Sequence, residues 1–280
     1  MTRAGPPAFE QLRWTEPGAE YALLSGQPSA CLASEDPLVR SGRALFGTPT
    51  LLGGQAAKAG LSCESCHING RGNPHFLLSG VSVGPGTADV TNSFFSAARG
   101  NGRFDPVAIP DLAEPGKVSR DAQVKALEPF IRNLVVEEFG GEEPTPAMLD
   151  ALAAYVRAIG RCDPDTQRGR NVGDQLRSID DAMTGAALMT ERGDRAGGRL
   201  SIAAMRHQLG LIAERYPERR ADLLSASHTL QMIGERDTAD LPALRRWKDD
   251  FDKGLVQGLR RDEGRSLYNR ARLQRALARQ

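Results

Sequence analysis

The sequence predicts an all-α protein, and three kinds of observation carry that expectation. A capping residue followed by proline opens segments at Asp36-Pro37, Thr145-Pro146 and Asp240-Leu241-Pro242, where proline is tolerated because a helix's first N–H groups have no internal partner. Apolar residues in the rear half recur at alternating steps of three and four, the period of a helix burying one face. Glycine stands where several of these patterns stop.

Residues 1–35 are rich in Pro, Gly and Ser without a sustained period, which predicts an extended arm. Asp36 then caps a short helix with Leu38, Ala44, Leu45 and Phe46 apolar, stopping near Gly47-Thr48-Pro49. A second short helix carries Cys63 to His67 and ends at Gly70. Residues 70–116 hold many Gly, Pro and Asn and no helical period, so they are expected to wrap something functional. Phe76, Phe94, Phe95 and Phe104 lie in that stretch. Helices are expected over Asp121–Asn133 and Thr145–Ile159, the latter with Leu149, Leu152, Ala153, Val156 and Ile159 as its stripe.

Cys162-Asp163-Pro164 marks a boundary between a front domain, residues 36–164, and a rear one, residues 165–280. The rear stripes are Val172, Leu176, Ile179, Met183, Ala186, then Ile202, Met205, Leu209, Ile212, Tyr216. A third helix carries Leu223, Ala226, Leu230 and Ile233 and is ended by Gly234. A fourth carries Leu244, Trp247, Phe251 and Leu255, and a fifth spans about Asp262 to Ala278. Short links such as Tyr216-Pro217 predict a five-helix bundle of antiparallel neighbours.

The most informative stretch is Cys63-Glu64-Ser65-Cys66-His67. Cys-x-x-Cys-His is the attachment pattern of haem c, and chance would place it in roughly one such chain in a thousand. Two thiols three positions apart lie about one helical turn from each other, so both can add to the vinyl groups on one porphyrin edge, and the adjacent histidine meets the iron. A zinc site would want a second Cys or His pair, whereas Cys31 and Cys162 are isolated in sequence. A thioredoxin-like pair would want a βαβ context that is missing. One covalent haem c is therefore the expected cofactor, with Cys63 and Cys66 as anchors and His67 as proximal ligand. Cys31 and Cys162 bracket the motif and are candidates for a disulfide, which would stabilise by a few kcal/mol.

Composition is that of a globular protein: 280 residues, 40% apolar, 25% charged, net charge +1. No run reaches the ~18 apolar residues of a membrane helix. Residues 1–165 carry 14 Lys and Arg against 19 Asp and Glu, while the remainder carries 22 against 16. An acidic front and a basic rear suggest two modules whose faces complement each other or a partner. Haem c attachment implies a periplasmic location, although Met1 to Trp14 shows no basic start and apolar core of an export signal.

Gly42 and Phe46 in the first helix, and Tyr155 in Leu152-Ala153-Ala154-Tyr155-Val156-Arg157, make the front half resemble a class I cytochrome c domain. In that family the first and last helices cross where a small residue permits close approach and aromatics fill the contact. Gly42, lacking a Cβ, with Phe46 one turn along, has that logic. Gly42-Arg43-Ala44-Leu45-Phe46 leading to Leu61-Ser62-Cys63 is similar to the bacterial di-haem cytochrome c peroxidases and their relatives, over about residues 36–160. Those proteins divide labour between two haems. This chain has a single attachment motif, so that two-haem function does not carry over.

The ligand opposite His67 separates the mechanisms open to such a centre. Methionine favours electron transfer, and an open position admits peroxide. His75 and Met148 are the candidates, beside an open or water-filled site. Met148 sits in the first turn of the Thr145-capped helix, and Asn73-Pro74 favours a turn just before His75. His207, His228, Met183, Met189 and Met205 belong to the bundle and are expected to pack or face solvent. Arg71, Arg99 and Arg103 lie in the wrapping segment and have the shape to hold a haem propionate. Seven arginines, Arg260, Arg261, Arg265, Arg270, Arg272, Arg275 and Arg279, crowd the C-terminus beside Leu273, Ala276 and Leu277. They form a solvated face or a docking surface for an acidic redox partner. No aromatic interleaving supports nucleic-acid binding.

The expected function is electron transfer through one haem c. A peroxidase-like enzyme or oxidase accessory protein with an open iron is the alternative, and a redox sensor with the bundle as interaction module is a third.

Overall fold

The computed structural model describes residues 9–96, 98–161, 167–237 and 240–279. The chain is 59% helix and 5% strand, as the all-α expectation requires.

The N-terminal segment is less extended than its composition predicts. A 3-10 turn, Glu10–Trp14, precedes α1 (Glu20–Ser25) and strand β1 (Gly26–Pro28). Phe9, Trp14, Leu23 and Leu24 are buried, so tertiary packing shapes segments too short for a visible period.

Asp36 caps α2 (Pro37–Phe46) as expected, its carboxylate accepting from the N–H groups of Leu38 and Val39 at 2.9 and 3.0 Å. Short helices α3 (Pro49–Leu52) and α4 (Gly54–Lys58) lead to α5 (Cys63–Cys66) and a 3-10 turn, Ile68–Gly70. The following stretch is irregular apart from the paired strands β2 (Thr87–Ala88) and β3 (Val107–Ala108).

The helix expected from Asp121 begins only at Leu127: α6 spans Leu127–Asn133 and widens into a π turn over Leu134–Glu138. Pro129 is the reason. Inside a helix begun at Asp121 it would remove a hydrogen bond and clash with the carbonyl of Lys125, but in the first turn of α6 it is harmless. Thr145 caps α7 (Pro146–Ala158), its hydroxyl accepting from the Met148 N–H at 3.2 Å.

Strand β4 (Gln167–Gly169) pairs antiparallel with β1, Gly26 opposite Gly169. Then come α8 (Val172–Glu191), α9 (Arg195–Arg215) and α10 (Arg220–Arg236), each packed on the next. Gly234 does not end α10; a Cβ there would come within 3.2 Å of the Ile202 side chain on α9, so the glycine serves close approach and not termination. Helix α11 (Leu241–Phe251) is capped by Asp240 and continues through a π turn, Asp252–Val256, into α12 (Gln257–Asp262).

The fifth expected helix is broken. A turn over residues 263–269 intervenes, and α13 spans only Arg270–Leu277. The Leu267 N–H donates to the Arg215 carbonyl at 2.8 Å, a tertiary bond that no local period announces. Helix α13 lays Leu273 not on the bundle but on a small separate core with Phe9, Leu24 and Leu267.

Two larger cores remain, and α2 serves both: Val39, Leu45 and Phe46 enter the front core, Ala44 the rear. It packs on α7 and α8. Against α7 the contact is extreme, since a Cβ on Gly42 would lie 1.9 Å from the Ala151 carbonyl oxygen and 2.8 Å from Cβ of Tyr155. Against α8 the contact is ionic. Asp181, 2% exposed, accepts from Nε of Arg40 at 2.8 Å and of Arg43 at 2.7 Å.

Candidate functional site

Helix α5 is one turn long, and its geometry is built by neighbours. Ser65 Oγ accepts from the Ser62 N–H at 3.0 Å, and the His67 N–H closes the turn on the Cys63 carbonyl at 2.9 Å. Asn73, 2% exposed, finishes the other end. Its side-chain amide donates to the Ser65 carbonyl at 2.9 Å, and its own N–H donates to the Cys66 carbonyl at the same distance. Asn69 follows His67 in the left-handed region at φ 53°, a conformation asparagine tolerates. Gly70 is required outright: φ is 77° and a Cβ would meet the Ile159 side chain at 2.6 Å.

The His67 ring is fixed from a distance of 43 residues. Its Nδ1 lies 3.1 Å from the Pro110 carbonyl oxygen. A carbonyl can only accept, so Nδ1 carries the proton and Nε2 keeps its lone pair. Burial drives the imidazole's pKa down to about 4, which keeps the ring neutral near neutral pH. Phe46 lies beside it, ring centroids 6.4 Å apart, and in turn meets Tyr155 edge-on at 5.1 Å.

Loop 109–113 is pinned so that Pro110 can serve. Ile109 donates to the Gly86 carbonyl at 2.9 Å, Leu112 to the Gly70 carbonyl at 3.0 Å, and Asp111 accepts from Arg71 at 2.5 Å. Arg120 completes the clamp, its guanidinium donating to the carbonyls of Leu112 and Val156. Pro110 and Arg120 escape a sequence reading because they act on His67 and Val156, 43 and 36 residues away, and Asn73 because it reaches back across a turn that has no helical period.

Both thiols are free and half-buried. Burial pushes each up to about 12, with Glu64 raising Cys63 further and Cys63 raising Cys66. Such thiols stay protonated, whereas zinc ligation or disulfide exchange needs the thiolate. Among the described residues no group of three or more His, Cys, Asp or Glu side chains is arranged to hold a metal ion. Cys31 is disulfide-bonded; Cys162, its expected partner, lies outside the described residues.

Among the other predicted residues, Arg71 and Arg99 are engaged, with Asp111 and with Glu138 at 2.9 Å, while Arg103 is exposed. His75 points Nδ1 at Glu16, 2.6 Å away, and Met148 is 5% exposed within the front core. In the bundle Met189 and Met205 are fully buried, His207 and Met183 half-buried, and His228 exposed. Phe76 and Phe95 are core residues, but Phe94 and Phe104 are 40% and 55% exposed. Val83 and Val107 are likewise bare, so the irregular segment presents apolar side chains that no other described residue covers, and Val124 and Phe130 beyond it are exposed too.

Comparison of the chain with protein-family models, with curated proteins and with solved structures finds no match. One turn with two unoxidised thiols, a neutral histidine whose Nε2 keeps its lone pair, and exposed apolar side chains in the following segment fit a covalently attached porphyrin. They do not fit zinc or a dithiol couple. No helix among the described residues is long and apolar enough to cross a membrane.

Proposed function

We propose that this chain is a single-haem c-type cytochrome that carries electrons, its front half built like a class I cytochrome c domain and its location periplasmic. The Pro110 carbonyl on Nδ1 of His67 is the observation that carries this reading. An imidazole whose inner nitrogen donates to a fixed backbone oxygen is oriented as a metal ligand, and the same bond raises its basicity. Cys63 and Cys66 would hold the porphyrin by thioethers, and His67 would be the proximal ligand. A haem there supplies one-electron chemistry. The chain's own residues orient the ring and keep it neutral, and Phe46 and Tyr155 pack behind it. Exposed Arg260, Arg261, Arg265, Arg270, Arg272, Arg275 and Arg279 would steer an acidic redox protein, an effect that salt suppresses.

An enzymatic reading, in which a bound haem would leave a position open to peroxide, is favoured by the engagement of both candidate second ligands, Met148 in the core and His75 with Glu16. Spectroscopy with peroxide separates the two. A carrier shows a reversible one-electron couple and a six-coordinate ferric spectrum unmoved by peroxide; a high-spin spectrum that changes on adding peroxide selects the enzyme and overturns the carrier.

A further inference from the structure

Residues 9–16 form a strap between the two halves of the molecule. One end is held by main-chain bonds to the front half: the Leu77 N–H donates to the Trp14 carbonyl at 2.9 Å, the Glu16 N–H to the His75 carbonyl at 3.0 Å, and Thr15 bridges Phe76. The other end lies on α9. Phe9 sits under the Arg215 guanidinium, 5.0 Å from its ring centroid, and the Glu10 N–H donates to Oε1 of Glu214 at 3.0 Å. The Glu10 side chain is wedged against Gly60, where a Cβ would approach its carboxyl carbon to 2.5 Å. Its Oε1 lies 3.7 Å from Nε2 of His207, with those side chains 23% and 18% exposed.

Two carboxyl groups and an imidazole thus meet where the strap touches the bundle. Among the described residues no guanidinium pairs with them directly. Arg215 spends its donors on the carbonyls of Leu24 and Leu267, and the pull of Arg13 on Glu10, and of Arg215 and Arg220 on Glu214, is outweighed by burial. Burial keeps His207 neutral, down to about 4.

We infer that this strap is a proton-operated latch, seated on α9 while the Glu10 and Glu214 pair holds protons and loosened when both carboxylates ionise. Burial raises each to about 7, and the Glu10 charge raises Glu214 further. The sign follows from linkage. An acid whose docked pKa exceeds its ordinary value of 4.5 favours docking fully below that value, and the contribution is lost as pH rises through about 7. Since the strap joins both halves, its release would loosen their mutual packing. The inference does not depend on a haem.

Hydrogen–deuterium exchange on the full chain tests it. After correction for intrinsic exchange, amide protection of residues 9–16 is expected to fall tenfold or more between about pH 5.5 and about pH 8.5, while the core of α9 stays protected. Glu10→Gln, which keeps the side chain's shape and cannot ionise, is expected to leave the strap protected at both pH values. If it does not fold, Glu214→Gln, which retains an acceptor for the Glu10 N–H, supplies the same comparison. Equal protection of the wild-type strap at both pH values, or the same fall in the glutamine variant, overturns the latch.

Discussion

Asn73 satisfies two carbonyls at the end of α5, one with its side chain and one with its backbone N–H. Asn73→Ala removes only the side-chain bond and leaves the Ser65 carbonyl without that partner in a buried place. The expected cost is about 1–3 kcal/mol, read as a lower urea midpoint at unchanged slope. An unchanged midpoint would mean that the amide does not hold the turn. Glu64, between Cys63 and Cys66, makes a second prediction at this scale. Burial raises its carboxyl to about 7 against the pull of the Asn69 N–H and of Arg170 and Arg43. Its contribution is complete below its ordinary value of 4.5 and lost as pH rises through about 7. Glu64→Gln should therefore flatten the decline of stability across that window; an undiminished slope would assign it to other groups. The motif's residue types were legible in the sequence. Its supports were not, because Asn73, Pro110 and Arg120 act through folding that no local pattern encodes.

Helices α2, α7 and α8 meet with almost no spare room. Gly42→Ala would place a methyl group inside the van der Waals radius of the Ala151 carbonyl, so α2 and α7 must separate, at an expected cost of about 3 kcal/mol or more. A variant as stable as the parent would show that the crossing is looser than described. Asp181→Ala, on the α8 side, leaves the Arg40 and Arg43 guanidinium groups without their shared buried carboxylate. Both guanidinium groups keep some solvent contact and Arg43 keeps Glu35, so the expected cost in chemical denaturation is about 1–3 kcal/mol, and an unchanged midpoint would contradict the clamp. At this scale the sequence was informative where chemistry is local. Asp36-Pro37, Thr145-Pro146 and Asp240 all open helices as expected, since capping needs only neighbouring residues. Gly42 was legible as a close approach. Periodicity misled where it ran through Pro129, took Gly234 for a terminus, or crossed residues 263–269, a turn whose Leu267 N–H is bonded to the Arg215 carbonyl.

Across the whole molecule, raised carboxyl groups outweigh lowered ones among the buried sites. Glu10, Glu64 and Glu214 are each driven up to about 7 by burial, while the lowered acids Asp36, Glu128 and Asp262 lie near the surface. Thermal stability should accordingly fall between about pH 5 and about pH 8, and a melting temperature that rises across this range would contradict the burial of these groups. The charge division read from the sequence, acidic front and basic rear, finds α2 between them, with arginines of the front half on an aspartate of the rear. Fold class was legible because helical caps and periods are short-range. The docking of α13 and the N-terminal strap was not, because both depend on partners far along the chain: Leu273 on Phe9 and Leu24, the strap on His75, Leu77 and Glu214.

The central claim is a porphyrin bonded to Cys63 and Cys66 and ligated by His67. Intact-mass measurement on protein matured in a host competent for haem c attachment, after denaturation and acid extraction, tests it most directly. The account predicts one added haem that survives extraction and disappears in the Cys63→Ala/Cys66→Ala double variant. An unmodified polypeptide mass, with no Soret absorption before denaturation, would contradict it.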